Sequence, residues 1–326
     1  MAEYSFLTDK SGKWSIFAPR RARRPMVGEG MPVCPFCPGG EQYQKEAYRV
    51  GGEIGDKKWK LLVIANKYPF TNHHEVLIHS PHHAHNFDAL PISQVLLILE
   101  TYKQRMQLYK NIGNVYIFHN HGRQAGESIT HPHSQITVIP EEFTESIPLA
   151  SSVLVESSGK RHSLFTIPLP KKLSGRFQVA VSSNTSQHNP LQVDPLMTDY
   201  FQIVCPAFSE WPDEVWIVPR RGEKMFCDST SEELIDLAFG LSRVIQLLDM
   251  RYGHEFPFNF YIYPRNNWYL RIIPRIKMLG GFEIGTRVMV NTQDPGITQA
   301  FINEHFWRPD SQKIMKKEQA DYKKRV

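Results

Sequence analysis

The stretches "LLVIANKYPFTNHHEVLIHSPHHAHNF" (residues 61–87) and "FQIVCPAFSEWPDEVWIVPRRGEKMF" (residues 201–226) decide the fold. Each opens on an apolar, strand-like run and turns through a short proline-containing connection. Each then enters a second run, EVLIHSP (75–81) or EVWIVPR (214–220), and leads into a helix. In "PISQVLLILETYKQRMQLYK" (91–110), Ile92, Val95, Leu96, Leu99, Met106 and Tyr109 recur at helical spacing. "TSEELIDLAFGLSRVIQLLDMRYG" (230–253) opens on Thr230 and Glu233 as a capping box and stops at Gly253. Two further strand-like runs close each unit: "VYIFHN" and "SQITVIP" in the first, "FNFYIYP" and "WYLRIIP" in the second. The order strand, strand, helix, strand, strand thus occurs twice, as a pattern and not as identity.

We therefore expect an α+β chain of two similar halves, 1–145 and 146–326, each an antiparallel sheet with a packed helix. Alternating segments such as "RFQVAVSS" (176–183) join the halves, and the charged tail "QKIMKKEQADYKKRV" (312–326) reads as a frayed end or a short surface helix. Superposing Ile139-Pro140 on Ile273-Pro274 sets His133 opposite Asn267 and Gln135 opposite Tyr269. The first half keeps a histidine chemistry that the second has lost.

The 326 residues are 41% hydrophobic, enough to bury a sizeable core. No apolar run reaches eighteen residues, so no membrane-spanning helix is expected. The opening "MAEYSFLTDKSGKWSIF" lacks a basic-then-apolar signal pattern, and a cytoplasmic protein is the expectation. A net charge of +5 is too mild for a nucleic-acid binder. Four arginines nonetheless crowd "PRRARRP" (19–25), where guanidinium forks suit phosphate and a solvated arm is the plain alternative.

"CPFC" places Cys34 and Cys37 at a spacing that lets two thiolates share one Zn²⁺, with a redox pair or two buried thiols as alternatives. Two more ligands are needed, and His73, His74, His79, His82, His83, His85, His131 and His133 all offer themselves. In "GESITHPHSQITVIP" (126–140), His131, His133 and Gln135 alternate, so an extended backbone turns all three to one side. A core strand would not bury such a row without a task. A neutral imidazole attacks phosphorus well and departs well afterwards, so it can carry a nucleotidyl group covalently. One ring nitrogen must then stay bare while the other is held as N–H. A glutamine alongside can donate to phosphate oxygens. Asn120, Gly122, Gly126 and Ser128 are candidates for a phosphate pocket, with Arg21 and Arg24 supplying charge.

These residues resemble the galactose-1-phosphate uridylyltransferase family, a branch of the histidine-triad superfamily, over nearly the whole chain. "PRRARRP" resembles its RAxRP segment, "CPFCPGG" its CPxCPGN metal motif and "IANKYPF" its N-x-[FY]-P nucleoside segment. "SPHHAHNF" resembles SPxHS, and "GESITHPHSQ" the GxSxxHPHxQ active site. The resemblance implies a duplicated histidine-triad-like half-barrel. It implies one structural zinc on Cys34, Cys37, His83 and His131, and His133 as the nucleophile. It implies Gln135 and Ser128 at phosphates, Arg21 and Arg24 near them, Asn66 near the ribose, and a homodimer with active sites near the subunit interface. The implied reaction is ping-pong transfer of UMP from UDP-glucose to galactose 1-phosphate.

Several residues depart from the family pattern. Its well-known bacterial and animal members carry a His-x-His pair in the C-terminal half, where this chain reads "WYLRIIPR", so one metal site is expected and not two. Ile129-Thr130 stand where Asn-Pro is common, and Lys67 where some members have Asp. "GGFEIGT" (280–286) and the serine of HPHSQ resemble ADP-glucose phosphorylase-type relatives, for which ADP-glucose would be donor and inorganic phosphate acceptor. A diadenosine polyphosphate phosphorylase and a non-catalytic nucleotide-sugar sensor are the further alternatives.

Overall fold

The computed structural model of the chain describes residues 4–10, 12–24, 34–40, 45–53, 56–143, 147–149, 194–253 and 255–308. The boundary at 145/146, the segment 176–183 and the tail 312–326 lie outside the described residues.

A hairpin of β1 (Ser5–Thr8) and β2 (Trp14–Phe17) precedes the main sheet. The first half then runs β3 (Glu46–Val50), β4 (Leu61–Ala65), β5 (His74–Ile78), α1 (Ile92–Tyr109), β6 (Asn114–His121) and β7 (His133–Ile139). The second runs β8 (Leu196–Met197), β9 (Phe201–Val204), β10 (Val215–Pro219), α2 (Ser231–Tyr252), β11 (Phe258–Ile262) and β12 (Leu270–Pro274). Two helices follow, α3 (Gly281–Thr286) and α4 (Pro295–His305). The repeat read from the sequence is thus realised element for element. The outermost strands β3 and β8, and α4, were not expected from it.

All ten main strands form one antiparallel sheet, ordered β3-β4-β5-β7-β6-β11-β12-β10-β9-β8. The second half repeats the order of the first in mirror sequence, so that β6 meets its own counterpart β11 at the centre. Asn120 pairs there with Asn259 and Ile117 with Ile262. The match extends to composition: NVYIF (114–118) opens β6, and NFYIY (259–263) runs from the second residue of β11 to just past its end.

Both helices lie over one face. Val95, Ile98, Leu99, Tyr102 and Met106 of α1 and Leu237, Leu241, Val244 and Leu248 of α2 join Leu77, Ile117, Ile217 and Phe260 in a single core. Ile92 does not share it and stays 38% exposed. It is the first helical residue, and its side chain leans toward the N-terminus, past the helix end. The capping box of α2 forms as expected: Glu233 N donates to Thr230 Oγ1 at 3.3 Å and Thr230 N to Glu233 Oε2 at 2.7 Å. Gly253 closes the helix with φ +91°.

The other face of the sheet carries two separate clusters. Phe36, Trp59, Leu62, Ile64, Val76 and Ile78 cover the first half. Trp216, Val218, Tyr263 and Tyr269 cover the second. β5, β7 and β10 are buried at every position because both of their faces are covered. No helix among the described residues is long and apolar enough to cross a membrane.

Candidate active site

Cys34 and Cys37 sit on a tight turn in which Cys37 N donates to Cys34 O at 3.2 Å and Gly40 N to Cys37 O at 2.8 Å. A Cβ on Gly40 would lie 2.6 Å from Cys34 O, so the turn closes only around glycine. His83 and His131 complete a group of four whose ligand atoms all lie within 4.8 Å of one another. His83 Nδ1 stands 3.3 Å and His131 Nδ1 3.5 Å from Cys37 Sγ. His131 Nε2 donates to Ser80 O at 2.8 Å, and His83 Nε2 lies 3.1 Å from Thr130 Oγ1. The His131 imidazole therefore keeps Nδ1 bare on the side of the thiols, as metal ligation requires, and His83 Nδ1 also faces Cys37 Sγ. Among the described residues this is the one group of three or more His, Cys, Asp or Glu that could hold an ion. The other histidines of "HHEVLIHSPHHAH" are outside it.

β7 starts at His133, two residues beyond the metal-site histidine. His133 Nδ1 donates to His131 O at 2.8 Å, and Nε2 meets no partner among the described residues. Burial, joined by the positive charge of Arg24, lowers the His133 pKa to about 4 against the opposing bond to His131. The ring is thus neutral at physiological pH and presents a free lone pair. Phe36, the residue between the two cysteines, packs edge-on against it at 5.1 Å between centroids. The cysteine turn consequently touches the His133 ring through one side chain.

Gln135 follows on the same face, as the period of a strand demands. His74 Nε2 lies 3.0 Å from its Oε1, and Asn66 Nδ2 lies 3.5 Å from the same atom. Asn66 is fixed by Tyr68 N, which donates to its Oδ1 at 2.9 Å. The 3-10 turn Pro19–Arg23 and its cap Arg24 bring Arg21 and Arg24 alongside, half-buried, while Arg20 and Arg23 face solvent. Arg21 donates to Tyr68 O at 2.7 Å and stacks on Phe70, 4.9 Å from the ring centre. Burial, with repulsion from Arg24, brings its pKa to about 10. The sequence-predicted Arg21, Arg24, Asn66, His133 and Gln135 are thus gathered on one face.

Asn120 and Ser128 lie on the adjoining side. Asn120 Oδ1 accepts from Asn259 Nδ2 at 2.7 Å, and Arg275 Nη1 donates to Asn259 Oδ1 at 2.9 Å. The C-terminal half thereby anchors a residue read as a phosphate contact. Ser128 is 8% exposed, in the loop between Gly126 and β7. Gly122 takes φ +80°, and a Cβ there would fall 2.9 Å from Pro257 Cβ. Beside them Glu127 is buried, its Oε2 accepting from Gly122 N at 2.7 Å while Oε1 has no partner among the described residues. Burial raises its pKa to about 7.

Behind the strand, on the helix face, sits a second polar group. Ser134 Oγ is 2.7 Å from His79 Nε2 and accepts from Tyr102 OH of α1. His119 Nδ1 donates to His133 O at 2.9 Å. His79 and His119 are fully buried, and burial holds both pKa values well below 6.5. The sequence reading named His74 and His79 only as metal candidates and Ser134 only as a point of resemblance, and it did not single out Tyr102, His119, Phe36 or Glu127. Strand alternation alone signals Ser134 on the opposite face; which helix and strand side chains meet it is a tertiary fact.

In the second half, Tyr269 occupies the position corresponding to Gln135. It stacks on Trp216 at 4.2 Å and 12° and on Tyr263 at 5.3 Å and 16°. Its face carries a solid aromatic stack where the first half carries Gln135, His74 and Asn66. Arg271 is held there by Glu214 and Glu210, with Nε 2.6 Å from Glu214 Oε1.

Comparison with known proteins agrees with this geometry. Residues 67–139 match the family model described as galactose-1-phosphate uridyl transferase, N-terminal domain. ADP-glucose phosphorylase of Arabidopsis thaliana is 26% identical across 87% of this chain and 88% of its own length. Galactose-1-phosphate uridylyltransferase of Thermotoga maritima is 23% identical across 78% and 77%. Among solved structures, the Arabidopsis ADP-glucose phosphorylase with bound ADP-glucose superposes with a TM-score of 0.63 at 25% identity, covering 92% of this chain and 99% of that one. A uridylyltransferase superposes at 0.64 with 20% identity, covering 92% and 97%, which bears on the fold. With its duplicated α+β sheet, its Cys/His group and its bare His133, the chain is similar along most of its length to an ADP-glucose phosphorylase and to galactose-1-phosphate uridylyltransferases.

Proposed function

We propose that the protein is a nucleotidyltransferase acting on nucleotide sugars through a nucleotidyl-His133 intermediate. The observation that carries this reading is the neutral His133 ring, with Nδ1–H held by His131 O and Nε2 free. The Nε2 lone pair attacks the α-phosphorus, a P–N bond forms, and the P–O bond to the sugar phosphate breaks. Sugar 1-phosphate leaves with the electron pair and needs no acid, because its second pKa is near 6. An acceptor phosphate oxygen then attacks phosphorus, and Nε2 departs with its electrons. Gln135, Ser128 and Asn120 donate to phosphate oxygens, Arg21 and Arg24 supply positive charge, and Asn66 lies near the ribose. The half 1–145 carries the reacting groups, and the half 146–326 supports them. The donor set of two thiolates and two imidazoles suits zinc held by Cys34, Cys37, His83 and His131. That ion would fix the chain between the cysteine turn and the start of β7 and would take no part in bond making. A homodimer is the assembly we propose, with sedimentation as its check.

The relative of 26% identity favours ADP-glucose as donor and inorganic phosphate as acceptor, giving ADP and glucose 1-phosphate. A second reading, UDP-glucose with galactose 1-phosphate, is favoured by the match of residues 67–139 to the uridyl transferase model. Chromatography of products from both donor and acceptor pairs separates them. ADP formation from ADP-glucose only in the presence of phosphate supports the first reading. UDP-galactose formation supports the second and overturns the first.

A further inference from the structure

His74 opens β5 and is 4% exposed, yet no step of the proposed chemistry uses it. One of its hydrogen bonds has a fixed direction. Phe70 N–H points at Nδ1, 3.4 Å away, so Nδ1 must be the acceptor. A neutral imidazole with an accepting Nδ1 carries its proton on Nε2. That N–H faces Gln135 Oε1 at 3.0 Å. Tyr68 N occupies Asn66 Oδ1, so the Asn66 NH2 is turned toward this pair, 3.5 Å from Gln135 Oε1 and 3.1 Å from His74 Nε2. With two donors on that side, the Gln135 amide can offer only its oxygen there. Its NH2 is therefore turned to the other side, where no acceptor meets it among the described residues. Burial keeps His74 neutral, with Arg21 and Arg24 opposing a second proton.

We propose that His74 is a positioning residue that locks the Gln135 side chain with its NH2 toward the transferring phosphoryl group. The chain runs from Phe70 N–H to His74 Nδ1, and from His74 Nε2–H to Gln135 Oε1. It turns a two-fold ambiguous amide into a fixed phosphate donor. In a freely turning Gln135 the oxygen would face the phosphoryl oxygens part of the time and repel them. This inference rests on the nucleotidyl-His133 reading.

The test is the single-turnover rate of nucleotidyl-His133 formation, by quenched-flow and intact mass, in His74 variants with and without Gln135→Ala. An asparagine at 74 can still accept from Phe70 N–H but is too short to reach Gln135, whereas a glutamine reaches the position of Nε2. His74→Asn is expected to slow adduct formation about 10–100-fold, the effect typical of losing a group that orients a first contact, and His74→Gln less than about threefold. In the Gln135→Ala background His74→Asn is expected to change the rate less than about twofold. Equal slowing by His74→Asn in both backgrounds, or none in the wild type, would overturn the positioning role. No adduct on the wild-type protein with either donor would overturn the nucleotidyl-His133 reading and this inference together.

Discussion

His133 Nδ1 donates to the carbonyl oxygen of His131 at 2.8 Å, while His131 Nδ1 turns toward Cys37 Sγ. One short turn of chain thus belongs to two sites. The side chains of Cys34, Cys37 and His83 gather around residue 131, and the carbonyl of residue 131 fixes the tautomer of residue 133. His119 grips the same strand from behind through the His133 carbonyl, so the imidazole is aimed from both faces of the sheet.

Metal content follows from the four clustered ligand atoms. The purified protein should carry about one zinc per chain by elemental analysis. Cys37→Ala should abolish it, lower the melting temperature and slow adduct formation, because His131 and Phe36 both lose their anchor. Full zinc occupancy in the Cys37→Ala protein would contradict the assignment.

In the proposed reaction, Gln135→Ala would remove the amide that faces the transferring phosphoryl group. A loss of about 10²–10³ in kcat is expected, with donor affinity changed far less, since the contact strengthens as charge develops. Burst kinetics with each nucleotide sugar give both quantities.

Glu127 makes stability depend on pH. Its folded pKa of about 7 lies above the ordinary carboxyl value, because burial disfavours the charged form. The folded state therefore binds the proton more tightly. The contribution is complete below about pH 4.5 and is lost as pH rises through 7. Glu127→Gln should accordingly be more stable than the wild type at pH 8, by on the order of 1–3 kcal/mol, and equal to it near pH 5. Thermal melts across that range check the sign.

Tyr102→Phe removes a buried hydroxyl donor from Ser134 without opening a cavity. A cost of about 1–2 kcal/mol is expected in denaturant melts, with little change in donor affinity.

The repeat was legible because each half buries long apolar strands and one amphipathic helix, and both leave strong periodic signals. Thr230, Glu233 and Gly253 marked α2 to the residue. β3 and β8 were not legible: β3 reads EAYRV, half-polar at an edge, and β8 has two residues. In the site, the alternation of HPHSQ foretold that His133 and Gln135 share a face. It did not foretell that β5 lies beside β7, which is what brings His74 to Gln135 across 61 residues of sequence. His74 was therefore only one of several metal candidates. The same pairing buried Ser134 against α1, a contact that no local pattern encodes.

The most direct measurement is the intact mass of the protein after mixing with ADP-glucose or UDP-glucose and no acceptor. The account predicts an added AMP- or UMP-sized mass on the wild-type chain, removed by the matching acceptor and absent from His133→Ala. Turnover by His133→Ala at the wild-type rate, or an adduct on that variant, would contradict it.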